Sequence, residues 1–197
     1  MIRLIFILLI FTVPNWAHPN YIHEDETDQP EIVLREDSID KFSLPFPEKK
    51  MFNELALFYK RFVVKEEIGM QDGPGFPLIS LYDNNNEVLF FKFDPENSLL
   101  LEKIIASNPI VRDEYGLQVG LTVSDIIKIR AVDFRIITDT HQHTYLKNKN
   151  SKISYEINVG TFIDDAELDS ISSTKFNTLE EATIERIIWT NKKVDIN

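Results

Sequence analysis

The chain has no cysteine among its 197 residues. A disulfide framework, a thiol nucleophile, a thiolate metal site and a lipid-modified N-terminal cysteine are therefore excluded, and any fold must stand on its hydrophobic core. Glycine is scarce, at six residues, and Gly73-Pro74-Gly75 cannot cradle a phosphate because proline stands where backbone N–H donors are needed. The patterns G-x-S-x-G and H-E-x-x-H do not occur, and the four histidines have no triad spacing. Basic residues are in deficit, 21 against 32 acids, for a formal charge of −11. Such a surface repels phosphate backbones and anionic lipid alike, so nucleic acid is not an expected partner.

Long apolar runs are also missing, with one exception. In MIRLIFILLIFTVPNWA the positive Arg3 is followed by an apolar run from Leu4 to Val13 that is too short to span a bilayer as a helix. We read residues 1–17 as a signal peptide cut after Ala17, which predicts an exported protein, periplasmic or extracellular. Loss of Arg3 would make the remaining chain one unit more negative. No later run has the length of a membrane span, and there is no N-x-S/T acceptor; with the missing cysteine this points to a bacterial exported protein.

Residues 18–41 are acidic, with Glu24, Asp25, Glu26, Asp28, Glu31 and Glu36 among them. They read as a flexible leader too poor in apolar area to offset its ordering entropy, although Ile32-Val33-Leu34 offers a local docking patch. Residues 42–197 are expected to form a single α+β domain: a mostly antiparallel sheet of seven to nine strands with one or two short helices on one face. The stripe Met51, Leu55, Phe58 and Phe62 predicts a helix near 51–60 that runs into a strand near 61–67. Phe76 to Tyr82 and Val88 to Phe93 flank Asp83-Asn84-Asn85-Asn86, a hairpin turn in which asparagine tolerates positive φ. Another strand is expected at 101–106.

The segment GLQVGLTVSDIIKIR predicts a helix over 123–130. Thr122 caps it, Asp125 answers three residues later, and Leu121 and Ile126 are placed as a hydrophobic staple. Further strands are expected at 132–138, 142–147, 152–159 and 183–190. In the third of these Ile153, Tyr155 and Ile157 alternate with Lys152, Ser154, Glu156 and Asn158, which predicts one wet face. LEKIIASN at 101–108 and IERIIWTN at 184–191 share Glu102/Glu185, Ile104/Ile187, Ile105/Ile188 and Asn108/Asn191. Each follows an asparagine-bearing hairpin, so an internal duplication is one reading and a shared β-forming alphabet the other.

The run DEYGLQVGLTVSDI, with its G-x-x-V-G-x-T core, resembles a strand–turn–helix signature of small exported bacterial α+β domains of unassigned activity. The resemblance covers Phe76 to Trp189. It implies a shared fold, with Gly116 and Gly120 as turn residues and Thr122 as the cap, and it implies no catalytic residues.

Asp139, His141 and His143 in DTHQH are the one compact set of metal-capable side chains. On a strand their spacing would put two imidazoles and a carboxylate on one face, the donor set of many transition-metal sites. On a solvated hairpin, turning at Asp139-Thr140, they are ordinary polar residues. His18 would become the mature N-terminus, but Pro19 and the lack of other matching features speak against a copper site there. Asp164 to Asp169 lacks the glycine and final glutamate of a calcium loop. No cofactor and no catalytic residue is called for. The leading expectation is a non-catalytic binding or envelope-associated module that contacts a basic protein, as an inhibitor of a basic exported enzyme would. The alternative is a metal-binding or metal-dependent protein using Asp139, His141 and His143.

Overall fold

A computed structural model describes residues 31–70, 75–96, 100–159 and 179–191. The chain enters through three short strands, β1 (Ile32–Leu34), β2 (Ser38–Ile39) and β3 (Phe42–Ser43), followed by helix α1 (Glu48–Phe58). A meander follows: β4 (Val63–Gly69), β5 (Phe76–Asp83), β6 (Asn86–Asp94) and β7 (Leu100–Ala106). After β8 (Val111–Asp113) and helix α2 (Val123–Arg130) comes a second meander, β9 (Arg135–Thr138), β10 (Thr144–Lys147), β11 (Ile153–Asn158) and β12 (Thr183–Thr190). The two meanders make one eight-stranded antiparallel sheet, ordered β4-β5-β6-β7-β12-β11-β10-β9. A second sheet, β3-β2-β1-β8, has β1 parallel to β8.

That second sheet corrects two expectations. Residues 31–41 are not a flexible tether: Ile32, Leu34 and Ile39 are buried, and β1 pairs with β8 while β2 pairs with β3. Three apolar side chains suffice because β8 supplies a ready edge. The large sheet, with eight strands, has the expected seven to nine, but the small sheet brings the described residues to twelve strands in two sheets, since strands of two or three residues leave no periodic trace in sequence. Residues 1–30, including the expected signal peptide, and the Asp164–Asp169 run lie outside the described residues.

Local signals account for several element ends. Asn84 and Asn85 have φ of 49° and 69°, the pair of positive values that a two-residue hairpin turn of the twist-compatible type requires. Thr122 Oγ1 accepts the Asp125 N–H, and Asp125 accepts the Thr122 N–H in return at 2.8 Å, closing the capping box. Gly116 and Gly120, at φ of 84° and 92°, occupy turns that a Cβ would strain. Along α1 and its C-terminal cap the buried stripe is Met51, Leu55 and Tyr59, while Phe58 is 40 % exposed. The i+4 spacing continues through Tyr59 rather than Phe58, and the Tyr59 hydroxyl donates to Asp40 at 2.6 Å, tying the helix end to the turn between β2 and β3.

The core lies on one face of the large sheet. Ile79, Leu81, Phe91, Phe93, Tyr155 and Trp189 alternate inward, and Val123 and Ile126 of α2 join them. At the middle of the sheet Ile105 faces Ile188 and Ile104 faces Trp189 across β7 and β12. Both strands of this central pair carry a β-bulge against their outer neighbour. Between Lys92 and Phe93 the partner position steps from Lys103 to Leu101, leaving Glu102 as the extra residue; between Glu156 and Ile157 it steps from Arg186 to Ile184, leaving Glu185. The strand ends match as well: the Ser107 N–H donates to Val88 O at 3.1 Å and the Thr190 N–H to Lys152 O at 3.0 Å.

Candidate functional site

Asp139 follows β9 and His143 precedes β10, so DTHQH turns instead of extending. Asp139 Oδ1 accepts the backbone N–H of His141 at 3.0 Å and of His143 at 2.9 Å, and Oδ2 accepts the Tyr145 hydroxyl at 2.9 Å. The carboxylate is thus the keystone of the turn, with Gln142 at φ 69° completing it. Burial raises the Asp139 pKa, but the three hydrogen bonds outweigh it and hold the group below its usual range. The Tyr145 phenol is pushed up, by burial first and then by its bond to Asp139.

His143 turns away from Asp139 towards β11, where its Nδ1 lies 2.7 Å from Glu156 Oε1. The other oxygen of Glu156 lies 3.4 Å from Arg186 Nη1 on β12. His141 is exposed on the turn. The structure therefore joins His143 to Glu156, and Asp139 to Tyr145, rather than bringing the three metal-capable residues to one point. Among the described residues, no group of three His, Cys, Asp or Glu side chains is arranged to hold a metal ion.

Glu156 escaped the sequence reading. Alternation put it with Ser154 on a wet face of β11, yet Glu156 is 2 % exposed and Ser154 8 %. The reason is position in the sheet: β11 is an interior strand, and Glu156 sits between Tyr145 and Arg186 in the neighbouring strands. Long side chains from both sides cover it and supply its partners. Only the pairing register, which sequence alone does not disclose, could have shown this.

A second polar group ties the core to α2. Tyr155 donates to Asp113 Oδ2 at 2.5 Å, and Arg130 donates from Nη1 to the Tyr155 hydroxyl at 3.0 Å. Asp113 Oδ1 accepts the backbone N–H of Tyr115 and of Leu117. Burial raises the Asp113 pKa above the usual carboxylate value, more than these bonds and the Arg130 charge lower it. At 2 % exposure this carboxyl is buried among its hydrogen-bond partners.

The other face of the large sheet carries a row of side chains that runs through its centre. Across it, Ser80 lies beside Phe90, Phe90 beside Ile105, Ile105 beside Ile188, and Ile188 beside Ser154. Alternation puts this row opposite Ile79, Ile104, Ile187 and Tyr155, which belong to the core. Ile188 is buried but stands outside the main apolar cluster, and Phe90 and Ile105 are half-buried. Lys92 and Glu102 flank the row as an ion pair at 3.2 Å.

No protein-family model matches the chain, and no curated protein matches it in sequence. In fold it is similar to the crystal structure of the uncharacterized protein yfeY from Escherichia coli, with a TM-score of 0.57 at 15 % identity. The likeness covers 80 % of this chain and 99 % of that one. At that identity the likeness concerns the fold alone.

Proposed function

We propose that the chain is an exported, non-catalytic binding module whose contact surface is the face of the eight-stranded sheet turned away from the core. The observation that carries this reading is the row Phe90, Ile105 and Ile188 at the centre of that face, an apolar seam with polar flanks. Such a surface has the anatomy of a protein interface, with an apolar middle and a charged rim. The formal charge of −11 supports a basic protein as the partner, because the field of the whole molecule would steer it in. An exported basic enzyme inhibited by this contact is one form of that partner. The likeness to an uncharacterized bacterial fold supports a place among small exported α+β domains of unassigned activity, with the G-x-x-V-G-x-T run as their shared turn.

We further infer that the sheet arose by duplication of a helix followed by four strands. Three observations support it: the order α1-β4-β5-β6-β7 recurs as α2-β9-β10-β11-β12, both meanders bulge at a glutamate, and both end on the same backbone hydrogen bond. The identities at Glu102/Glu185, Ile104/Ile187 and Ile105/Ile188 fall at these matched positions. On this reading the contact face belongs to both halves, with Ile105 and Ile188 as its seam.

The test is capture of partners from the exported fraction with tagged chain, beside Phe90→Glu and Ile105→Glu variants shown to be folded. The expected result is a basic protein retained by the native chain, bound directly when purified, and lost with both variants. Equal retention by all three would remove the sheet face from the proposal, and a captured partner of acidic character would remove the charge argument.

A further inference from the structure

Five basic residues of this acidic chain lie around a cleft of about 870 Å³ between the C-terminal end of α2, the β1–β2 turn and the β10–β11 turn. Arg130, Arg135, Lys147, Lys149 and Lys152 line it. Three acids, Glu36, Asp37 and Asp133, share the walls. With 32 acids in the chain, partners for five cations are abundant. Yet among the described residues none of the five is in a salt bridge. Crowding like charges costs free energy unless something of opposite charge offsets it.

One of the acids in the walls does other work. Glu36 accepts from the Ser151 hydroxyl and, at 2.7 Å, from the Lys152 backbone N–H, so its oxygens hold the β10–β11 turn and not a cation. Asn148 donates to Asp133 O at 2.7 Å and accepts the Asn150 N–H at 2.8 Å, which fixes the same turn from within. Lys149 is thereby carried on a shaped loop. Arg130 stacks over the Tyr115 ring at 4.2 Å and spends Nη1 on Tyr155, while its Nε is buried with no hydrogen-bond partner. Stacking and the bond to Tyr155 fix the guanidinium in place, and a pre-oriented guanidinium is suited to an anion. Lys147 is held below its ordinary pKa, by burial first and then by Lys103, against the opposing pull of Asp139.

From this geometry we propose that the cleft is a binding site for a small ligand carrying two or more anionic groups, phosphate or carboxylate. Arg130 is the oriented anchor, and Arg135, Lys147, Lys149 and Lys152 supply the distributed charge. The overall negative charge of the chain does not forbid this. At physiological ionic strength the screening length is about 8 Å, so the nearest charges dominate within a cleft. Lys147 and Arg135 continue the Ser154 row to the outer edge of the sheet, away from its apolar centre, and binding there needs no protein partner.

The experiment is calorimetric titration of the folded chain at low ionic strength with pyrophosphate and, in a parallel arm, with citrate. The expected result is saturable binding of one equivalent of at least one of them, weakened by added sodium chloride. Whichever arm binds more tightly identifies the phosphate or carboxylate source. Arg135 and Lys149 are exposed, so Arg135→Glu with Lys149→Glu should not lower the unliganded melting temperature and should weaken binding at least tenfold. Ile105→Glu, on the sheet face, should leave anion binding intact. Absence of saturable heat with both anions, or equal binding by the double variant, would overturn the proposal.

Discussion

Glu102 and Glu185 stand at the same point of two strands that pair with each other: each is the extra residue of a β-bulge, and each lies three positions before one of the isoleucines that meet across the centre of the sheet. A bulge bends its strand and strengthens the local twist. Two of them, placed evenly about Ile105 and Ile188, curve both halves of the sheet by the same device. Substituting either isoleucine therefore alters the middle of a curved surface, whereas Phe90 alters one side.

Removal of residues 31–41 should be strongly destabilising. Ile32, Leu34 and Ile39 are buried, and burial of such side chains contributes about 1.5–3 kcal/mol each, so a loss of roughly 4 kcal/mol or more is expected. Thermal melts of chains beginning at residue 31 and at residue 42 would check this. Equal melting temperatures would mean that β1 and β2 add nothing to stability.

Tyr155→Phe should cost about 1–3 kcal/mol at neutral pH. The substitution keeps the ring in the core but leaves Asp113 Oδ2 buried without its donor and Arg130 without its acceptor. Urea denaturation of the two proteins is the measurement, and a change below 0.5 kcal/mol, roughly the noise expected for a surface substitution, would contradict it.

Asp139 should contribute stability that depends on pH in a defined direction. Its folded pKa lies below the unfolded value of about 3.9, so the contribution is fully present above that pH and is lost as pH falls through the folded value. Asp139→Asn should be less stable than the native chain at pH 7, and the gap should narrow on acidification below about pH 4. A gap that widens there would show that the sign is wrong.

Zinc or copper should produce little thermal shift. The Asp139 carboxylate already accepts three hydrogen bonds, and His143 is directed to Glu156, so recruiting them to a metal would dismantle the turn. Elemental analysis and melts with added metal test this. One tightly held equivalent, lost in His141→Ala with His143→Ala, would restore the metal reading.

What the sequence disclosed was local. Thr122 with Asp125, and Asn84 with Asn85, state their roles within four residues, and the helix over 123–130 and the hairpin around residue 84 appear where their signals lie. The entry strands were hidden because Ile32, Leu34 and Ile39 sit among acids, and their partner β8 lies some eighty residues further on. The candidate site was legible as a cluster of residue types but not as a network. Asp139, His141 and His143 are neighbours in sequence, whereas Glu156 and Arg186 come from other strands and are found only through register. The basic cleft was invisible for the same reason: its cations are spread from residue 130 to residue 152 in a chain whose total charge has the opposite sign.

The placement of β12 bears on synthesis. It is the last of the described strands to leave the ribosome, yet it occupies the middle of the sheet, between β7 and β11. Until it arrives, no backbone hydrogen bonds join the two meanders in the sheet, each shows an open edge, and the pocket for Trp189 is empty. A chain interrupted before residue 183 would expose two adhesive strand edges at once, so nascent and truncated forms should depend on chaperones far more than the finished protein does.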